Sequence, residues 1–433
     1  MKPDPDDLPE SSAAALADAL ADAPAAEPTE EPAPPPAPLL GLRDGLPPLT
    51  DTPPALADAC RALAGATGPV AIDAERASGY RYSSRAYLIQ LRREGVGSFL
   101  IDPIGFDSLA PLQEALAGTE WILHAATQDL PCLNEVGLAP AALFDTELAG
   151  RLLGYPRVGL ATLVETLLGQ RMKKEHSAAD WSTRPLPEPW LEYAALDVEV
   201  LIELRDVLAR ELQEAGKDEW ARQEFDALRS FTPAVRSEPW RRTSGLHRVR
   251  GRRLLGAVRE LWEERDELAR SRDVSPGRII GDSAIVAAAV ADPATRADLL
   301  ATKGFHGRGA QRYAERWVEA LARARALPEE ELPVRAPRTD APPAPRAWAE
   351  RDPVAAARLV LARDGMARLS EEHQVPAENL LSPDTVRRVM WEPAGPDPEA
   401  IEAQLRELSA REWQIGLTTQ MLVDAVTAAQ PPD

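Results

Sequence analysis

The sequence predicts an α/β domain with a mixed sheet packed by helices, followed by all-helical regions. In the first half of the chain, short apolar runs typical of buried strands alternate with helical patterns. These runs lie at residues 68–75, 86–91, 97–102 and 121–124. Beyond Glu238 the apolar residues recur at helical spacing only, as they do over 253–270. We therefore expect the α/β domain to occupy residues 49–226.

The other domain limits follow from composition and pattern. The first 48 residues are rich in Ala, Pro, Asp and Glu, a composition that buries too little apolar surface to fold. The predicted order is a disordered acidic Pro/Ala-rich tail (1–48), the α/β domain (49–226), a helical domain (236–328), a Pro-rich linker (329–352) and a second helical domain (353–428). Apolar positions coincide when 274–285 is laid over 375–386, which favours a diverged repeat over chance similarity.

Composition also limits the cellular setting. The two cysteines, Cys60 and Cys132, form no spacing motif, which suits a reduced cytosol. The first residues lack the pattern of a signal peptide, and no stretch approaches the ~20 apolar residues of a membrane span. We expect a cytoplasmic monomer with no membrane partner. The formal net charge of −20 disfavours nucleic acid as a partner unless the charge reverses locally.

Two acids end the first predicted strand. Asp73 and Glu75 are two residues apart, so both side chains point to the same face of a strand. Carboxylates placed together at the end of a buried strand repel each other unless a cation lies between them, and Mg²⁺ prefers such oxygen ligands. The alternative is an exposed strand end that carries two solvated acids.

Two further acids fall at informative places. Asp129 stands where the predicted strand at 121–124 passes into a helix, although a helix dipole alone also favours Asp at that position. Tyr193 and Asp197 are four residues apart and so share one helix face. Four carboxylates can hold two Mg²⁺ or Mn²⁺ ions, which stabilise the attacking and leaving oxygens of a phosphodiester. The tyrosine hydroxyl would then orient the attacking water or help to deprotonate it.

The order and spacing of these residues resemble the three exonuclease motifs of the DEDD superfamily. The matching segments are 72–75, 124–130 and 193–197, the last being of the tyrosine variety. Within the superfamily, segments 87–91, 144–147 and 180–186 are similar to characteristic stretches of the ribonuclease D family. The two helical regions resemble the helicase-and-ribonuclease-D C-terminal (HRDC) domains that follow the catalytic domain in that family.

The resemblance implies both a fold and an activity. The fold is ribonuclease H-like, with a mixed five-stranded sheet that contains one antiparallel strand. The activity is metal-dependent 3′→5′ exoribonuclease, releasing nucleoside monophosphates from structured RNA 3′ ends such as those of tRNA precursors. Carried over residue by residue, the metal ligands are Asp73, Glu75, Asp129 and Asp197, and Tyr193 positions the water. We expect His124 to be structural, and Asp145 and Glu147 either to cap a helix or to support the metal ligands, with capping favoured.

One basic stretch reverses the negative charge of the chain locally. Residues 241–253 contain no acid, and phosphate binding is the simplest use of their arginines: Arg241, Arg242, Arg248, Arg250, Arg252 and Arg253. The alternative is a solvated linker face, or pairing with the acidic tail or with Glu263 and Glu264. Lys173, Lys174 and Arg184 are further candidates for contact with the RNA backbone.

Two other functions compete with the ribonuclease prediction. A 3′→5′ DNA exonuclease uses the same four carboxylates, and only contacts to the 2′-hydroxyl would distinguish it. A catalytically silent RNA-binding scaffold would be expected to have lost one or more of these acids, yet all four are present. The intact set therefore favours an enzyme.

Overall fold

The computed structural model describes residues 37–173, 178–235, 237–334 and 340–429. Six strands form one mixed sheet in the order β1-β4-β3-β2-β5-β6. The strands are β1 (Leu49–Thr50), β2 (Val70–Arg76), β3 (Ala86–Arg93), β4 (Gly97–Ile101), β5 (Glu120–Leu123) and β6 (Ala142–Asp145). Strand β3 is antiparallel to both of its neighbours, and the other pairs are parallel.

The sheet agrees with the mixed architecture that the sequence implied. All four strands read from apolar runs are present, and β2 to β6 are the five main strands with one antiparallel member. Strand β6 was not read as a strand, since its four residues are too few to show a period. The sixth strand, β1, is a two-residue edge strand beside β4.

Eight α-helices of the described residues accompany the sheet. They are α1 (Pro53–Gly65), α2 (Ala110–Ala115), α3 (Leu130–Glu135), α4 (Thr146–Leu152), α5 (Leu160–Leu163), α6 (Glu188–Glu199), α7 (Leu201–Glu214) and α8 (Asp218–Arg229). Alternating residues of β2 enter two different cores, as the period of a strand requires. Val70 and Ile72 pack with α1, α2 and α3, whereas Ala71 packs with α4, α7 and α8 on the opposite face.

The packed part of the chain begins before the predicted limit of the tail. Residues 1–36 lie outside the described residues. From Pro38 onward the described residues lie in one compact unit, and Leu40 is buried and donates its backbone N–H to the carbonyl of Arg171 at 2.8 Å. Residues 38–48 therefore belong to the folded part, because Leu40 and Leu42 pack against apolar clusters that composition alone does not reveal.

The rest of the described chain is helical, as predicted. The first helical region contains α9 (Arg252–Arg272), α10 (Pro276–Ile279), α11 (Asp282–Ala291), α12 (Arg296–Ala301), α13 (Arg308–Arg312) and α14 (Ala314–Ala326). The second contains α15 (Trp348–Arg351), α16 (Pro353–His373), α17 (Ala377–Leu380), α18 (Pro383–Trp391), α19 (Pro398–Glu407) and α20 (Glu412–Ala428). No helix of the described residues has the length and apolarity to cross a membrane.

The two helical regions begin with the same three-helix arrangement. Helices α9 and α16 each span 21 residues, and each ends at a left-handed residue, Asp273 (φ 47°) and Gln374 (φ 51°). In both regions a four-residue helix and then a longer one follow. This correspondence supports the diverged repeat.

The second helical region packs directly on the α/β domain. The rings of Trp220 and Trp413 stack with centroids 4.9 Å apart, and the Trp413 indole N–H donates to Glu224 at 3.0 Å. The Lys217 ammonium donates to the carbonyl oxygens of Leu152 and His373, both at 2.7 Å. These buried contacts join the C-terminal helices to α8.

Candidate active site

Three of the predicted acids converge at one place. Asp73 and Glu75 lie on the same face of β2, opposite Gln90 and Leu88 of β3. Helix α6 crosses this face and brings Asp197 to it. One carboxylate oxygen from each of Asp73, Glu75 and Asp197 lies within 4.8 Å of the others. The spacing read from the sequence places Asp73 and Glu75 on one face, and the packing of α6 on the sheet adds Asp197.

The fourth acid approaches from the end of β5. Strand β5 ends at Leu123, and the short 3-10 turn Ala126–Gln128 leads to Asp129, which is buried at 6% exposure. Although Asp129 begins α3, its side chain makes no capping hydrogen bond with that helix. Burial raises the pKa of Asp129, and the negative charges of Asp73 and Asp197 raise it further. Asp129 therefore faces the acidic cluster.

A buried aspartate holds the turn that carries Asp129. Ala125 adopts the left-handed conformation (φ 58°), which an Ala seldom does without support. The Asp145 carboxylate accepts the backbone N–H of Ala125 at 3.1 Å and of Ala126 at 2.8 Å. It also caps α4 by accepting the N–H groups of residues 147 and 148. Asp145 thus performs the predicted capping and also fixes the approach of Asp129.

The other residues of this segment are structural. The His124 imidazole lies 2.9 Å from the Thr146 hydroxyl, and burial lowers its pKa to about 4, so it is neutral at ordinary pH. Glu147 forms an ion pair with Arg151 at 2.7 Å. Neither side chain is among the converging carboxylates.

The tyrosine lies one helical turn before Asp197. Its hydroxyl donates a hydrogen bond to the Asp197 carboxylate, which lowers the pKa of Asp197 against the effect of burial. Burial and the charges of Asp197, Glu75 and Asp73 raise the pKa of Tyr193 well above its usual value. The phenol is therefore protonated at neutral pH.

The cluster has too much negative charge for its surroundings. Burial raises the pKa of all four carboxyl groups, and in Glu75 burial and the charges of the other three raise it to about 10. The positive charge of Arg76 lowers the pKa of Glu75 but does not offset these effects. Buried carboxylates that lack enough positive partners fit hard divalent cations, which bind oxygen ligands. The donor set and the fold together imply divalent metal ions here.

The predicted RNA-binding residues fall into two groups. Arg184 binds the Asp102 carboxylate with two hydrogen bonds of 2.7 and 2.8 Å and also donates to the carbonyls of Tyr87, Trp181 and Thr183. Its N–H groups are thus used inside the domain, which leaves none for a phosphate. Lys173 is exposed, and Lys174 lies outside the described residues.

The basic stretch is also divided. Arg241 pairs with Glu238 at 2.7 Å, while Arg252 and Arg253 donate to backbone carbonyls between residues 324 and 332 and approach Glu329. Within the described ranges Arg242, Arg248 and Arg250 are exposed and form no ion pair. Half of the predicted patch therefore stabilises the first helical region, and half faces solvent.

Sequence reasoning missed one polar residue of the site. Gln90 is fully buried directly across the sheet from Asp73, and neither atom of its amide has a partner among the described residues. A glutamine inside an otherwise apolar strand is the signal that was available for it. Its register places it beside Asp73 on the neighbouring strand.

The comparisons with known proteins identify this architecture. Residues 49–213 match a family model described as 3'-5' exonuclease, 255–321 match the HRDC domain, and 341–426 match a model described as the 3' to 5' exonuclease C-terminal domain. The second helical region thus matches a different model from the first.

Relatives and solved structures agree. The chain is 33% identical to ribonuclease D of Zymomonas mobilis over 298 residues, covering 66% of this chain and 75% of that one. It is 33% identical to ribonuclease D of Acidiphilium cryptum over 353 residues, covering 75% and 87%. A protein from Bifidobacterium adolescentis superposes with TM-score 0.83 at 37% identity, covering 90% and 100%. Escherichia coli RNase D superposes with TM-score 0.66 at 26% identity, covering 89% and 100%.

The fold and the acidic site define a 3′→5′ exonuclease. The chain belongs to the ribonuclease D family. It is accordingly a 3′→5′ exoribonuclease, as the sequence predicted.

Proposed function

We propose that this exoribonuclease shortens structured RNA from its 3′ end, as in tRNA precursors, and releases nucleoside 5′-monophosphates. The proposed metal ligands are Asp73, Glu75, Asp129 and Asp197, which hold two divalent ions, Mg²⁺ or Mn²⁺. The observation that carries the proposal is the convergence of three carboxylates within 4.8 Å, with Asp129 facing them. Two divalent cations balance the charge of four carboxylates, whereas one leaves an excess.

Each part of the site has a distinct role. The bound ions would supply positive charge at the attacking and leaving oxygens of the phosphodiester. The Tyr193 hydroxyl, which donates to the Asp197 carboxylate, would orient the attacking water or help to deprotonate it. Asp145 holds the turn that places Asp129.

Support for RNA as the substrate comes from a relative and from exposed arginines. Escherichia coli RNase D is described as an exoribonuclease involved in structured RNA processing. In this chain the exposed Arg242, Arg248 and Arg250, with Lys173, are the proposed contacts to RNA phosphates. Arg184, Arg241, Arg252 and Arg253 are left out because their N–H groups bind the protein itself.

We further propose that the enzyme acts as a monomer in the cytoplasm. Both cysteines are free, which fits a reducing compartment. In this arrangement the exonuclease domain at 49–226 carries the chemistry, and the helical domain at 236–328 helps to hold the RNA.

The test compares the wild-type protein with Asp73→Asn on a 3′-extended tRNA and on its DNA analogue, in Mg²⁺, Mn²⁺ or EDTA. We expect metal-dependent shortening of the RNA 3′ end that the variant loses. Asp364→Asn, the same change at an exposed acid of the second helical region, is the matched control and keeps full activity. Equal trimming of the DNA would instead indicate a DNA exonuclease, and binding without trimming would indicate a scaffold.

A further inference from the structure

The junction between the exonuclease domain and the first helical region carries four arginines that have no carboxylate partner among the described residues. Arg272, Arg278, Arg308 and Arg312 are exposed, and none forms an ion pair within the described ranges. We call these four side chains, together with Tyr80 and Tyr313, the junction surface. In a chain with a net charge of −20, four such arginines form a local reversal.

Aromatic rings set the arginines of this surface in place. The Arg278 guanidinium lies 4.2 Å from the centre of the Tyr80 ring, and its Nε donates to the Gly79 carbonyl at 2.8 Å. Arg272 and Arg312 lie 5.1 and 5.6 Å from the centre of the Tyr313 ring. These contacts orient the planar guanidinium groups while leaving terminal N–H groups for a ligand.

The part of the junction surface on α10 lies next to the part on α13. Helices α10 and α13 are in contact, because a Cβ atom added at Gly309 of α13 would lie 3.6 Å from the Ile279 carbonyl oxygen of α10. Arg308 and Arg312 are four residues apart on α13 and so share one side of it. The arginines of both helices therefore lie on one continuous surface.

The surface is fixed relative to the acidic cluster. Tyr80 belongs to the loop that leaves β2 just after Glu75, and it packs with Tyr193 against the same small apolar cluster around Trp181. Asp273, at the end of α9, accepts the backbone N–H groups of Tyr82 and Ser83 at 3.1 and 2.8 Å. This carboxylate ties the loop to the first helical region, so the junction surface is linked through a short loop to β2, the strand that carries Asp73 and Glu75.

We propose that the junction surface binds the single-stranded nucleotides that precede the 3′ end while the terminal phosphodiester lies at the carboxylates. The inference rests on the proposed function and names its substrate more closely. Guanidinium groups bind phosphates, and their planes and the tyrosine rings accept stacked bases, which is how single-stranded RNA is usually held. The preferred substrate is therefore an RNA whose 3′ extension is long enough to reach from the acidic cluster to this surface.

The first test measures binding without cleavage. In the Asp73→Asn background, Arg272, Arg278 and Arg312 are changed together to Ala, and binding of a labelled single-stranded RNA of about 12 nucleotides is followed by anisotropy. We expect affinity to fall on the order of 10- to 100-fold near 0.1 M salt, and the slope of log K against log salt to fall by about 2.

A control with the same change of charge makes the result specific. Arg351, Arg363 and Arg368 are exposed on the second helical region and form no ion pair within the described ranges. Changing these three to Ala is expected to leave affinity unchanged. The proposal is overturned if both triple variants lose affinity equally, or if neither does.

The second test uses the length of the substrate in the active enzyme. With RNAs of roughly 2 to 12 nucleotides, we expect wild-type kcat/KM to rise with length and the junction variant to lose that rise while cleaving the shortest RNA normally. The proposal is contradicted if the junction variant keeps the rise of kcat/KM with length. It is also contradicted if the variant loses kcat/KM on the shortest RNA as much as on the longer ones. If the wild-type protein trims no RNA, the proposed function fails, whereas the binding test still decides the role of the surface.

Discussion

The acidic cluster and Asp145 lie in one domain, and burial raises the pKa of the carboxyl groups in both places, but the hydrogen-bond donors available to these groups differ. Asp145 accepts four backbone N–H groups, from residues 125, 126, 147 and 148. In the cluster, Glu75 has no hydrogen-bond donor within the described ranges, and Asp197 has the Tyr193 hydroxyl. Burial raises the pKa of the carboxyl groups in both places, but only in the cluster do neighbouring acids add strongly to that effect.

This difference in hydrogen-bond donors distinguishes an acid with a structural role from an acid that binds a metal ion. A carboxylate that already has its full set of donors gains little from a cation, whereas carboxylates that face one another gain much. The same change of Asp to Asn should therefore have opposite consequences in the two regions. The following predictions test that contrast.

The largest effect is expected from Asp73→Asn in the cluster. Loss of one metal ligand removes several kcal/mol of transition-state stabilisation, so we predict a fall in kcat of about 10³-fold or more on a 3′-extended RNA. In EDTA the variant should unfold at a higher temperature than the wild-type protein, because one of the facing charges is gone. A variant that is both active and less stable would contradict the contrast.

Tyr193→Phe is expected to have the next largest effect. The change removes the hydroxyl that donates to Asp197 but keeps the packing of the ring. We predict that kcat falls by roughly 10²-fold with little change in KM, as measured by steady-state trimming of a labelled RNA. Tyr155→Phe, which removes a hydroxyl that donates to Glu211 instead, is the matched control and should keep its kcat. An unchanged kcat in Tyr193→Phe would show that the hydroxyl orients nothing in the reaction.

Asp145→Asn should act mainly on stability. The amide NH₂ would face backbone N–H groups that now donate to a carboxylate oxygen, so we expect the free energy of unfolding in urea to fall by about 2 kcal/mol. Because the turn before Asp129 loosens, metal affinity should fall by roughly 10- to 100-fold. Saturating metal should then restore most of the activity. A loss of activity as complete as that of Asp73→Asn would place Asp145 among the ligands instead.

The smallest effect is a dependence of stability on pH in the absence of metal. In the folded protein the pKa of Glu75 is raised to about 10, above its value in the unfolded chain. The folded state then binds more protons than the unfolded state above about pH 5, so stability is full at low pH and is lost as pH rises toward 10. Each extra proton contributes up to about 1.4 kcal/mol per pH unit.

Thermal unfolding from pH 5 to 9 checks this dependence. In EDTA the melting temperature should decline steadily with pH. In Mg²⁺ the decline should disappear or reverse, because the metal binds the deprotonated carboxylates. A pH profile that is identical with and without Mg²⁺ would mean that the cluster holds no cation.

Much of the site could be predicted because its geometry is local. Asp73 and Glu75 share a face by the period of a strand, and Tyr193 and Asp197 share one by the period of a helix. The order of the three motifs along the chain then predicted that their four carboxylates form one site. The mixed sheet followed in the same way from apolar runs.

The parts that were not predicted depend on contacts between distant residues. Nothing local shows that Arg184 is held by Asp102, which lies 82 residues away along the chain. The sequence likewise did not show that Arg252 and Arg253 turn toward the chain around Leu327 and Glu329, or that Asp145 reaches back to Ala125. A charged residue in a sequence does not indicate which distant residue pairs with it in the fold. The junction surface was missed for the same reason, since its arginines lie apart in sequence.

The most direct test of the central claim is to count bound metal. Isothermal titration of the metal-free protein with Mn²⁺ should give about two sites in the wild-type protein and in Asp364→Asn. Asp73→Asn should lose at least one of them, and Asp145→Asn should keep both with weaker affinity. Titrations that show no binding in the wild-type protein, or the same binding in Asp73→Asn, would contradict the assignment of the acidic cluster as the metal site.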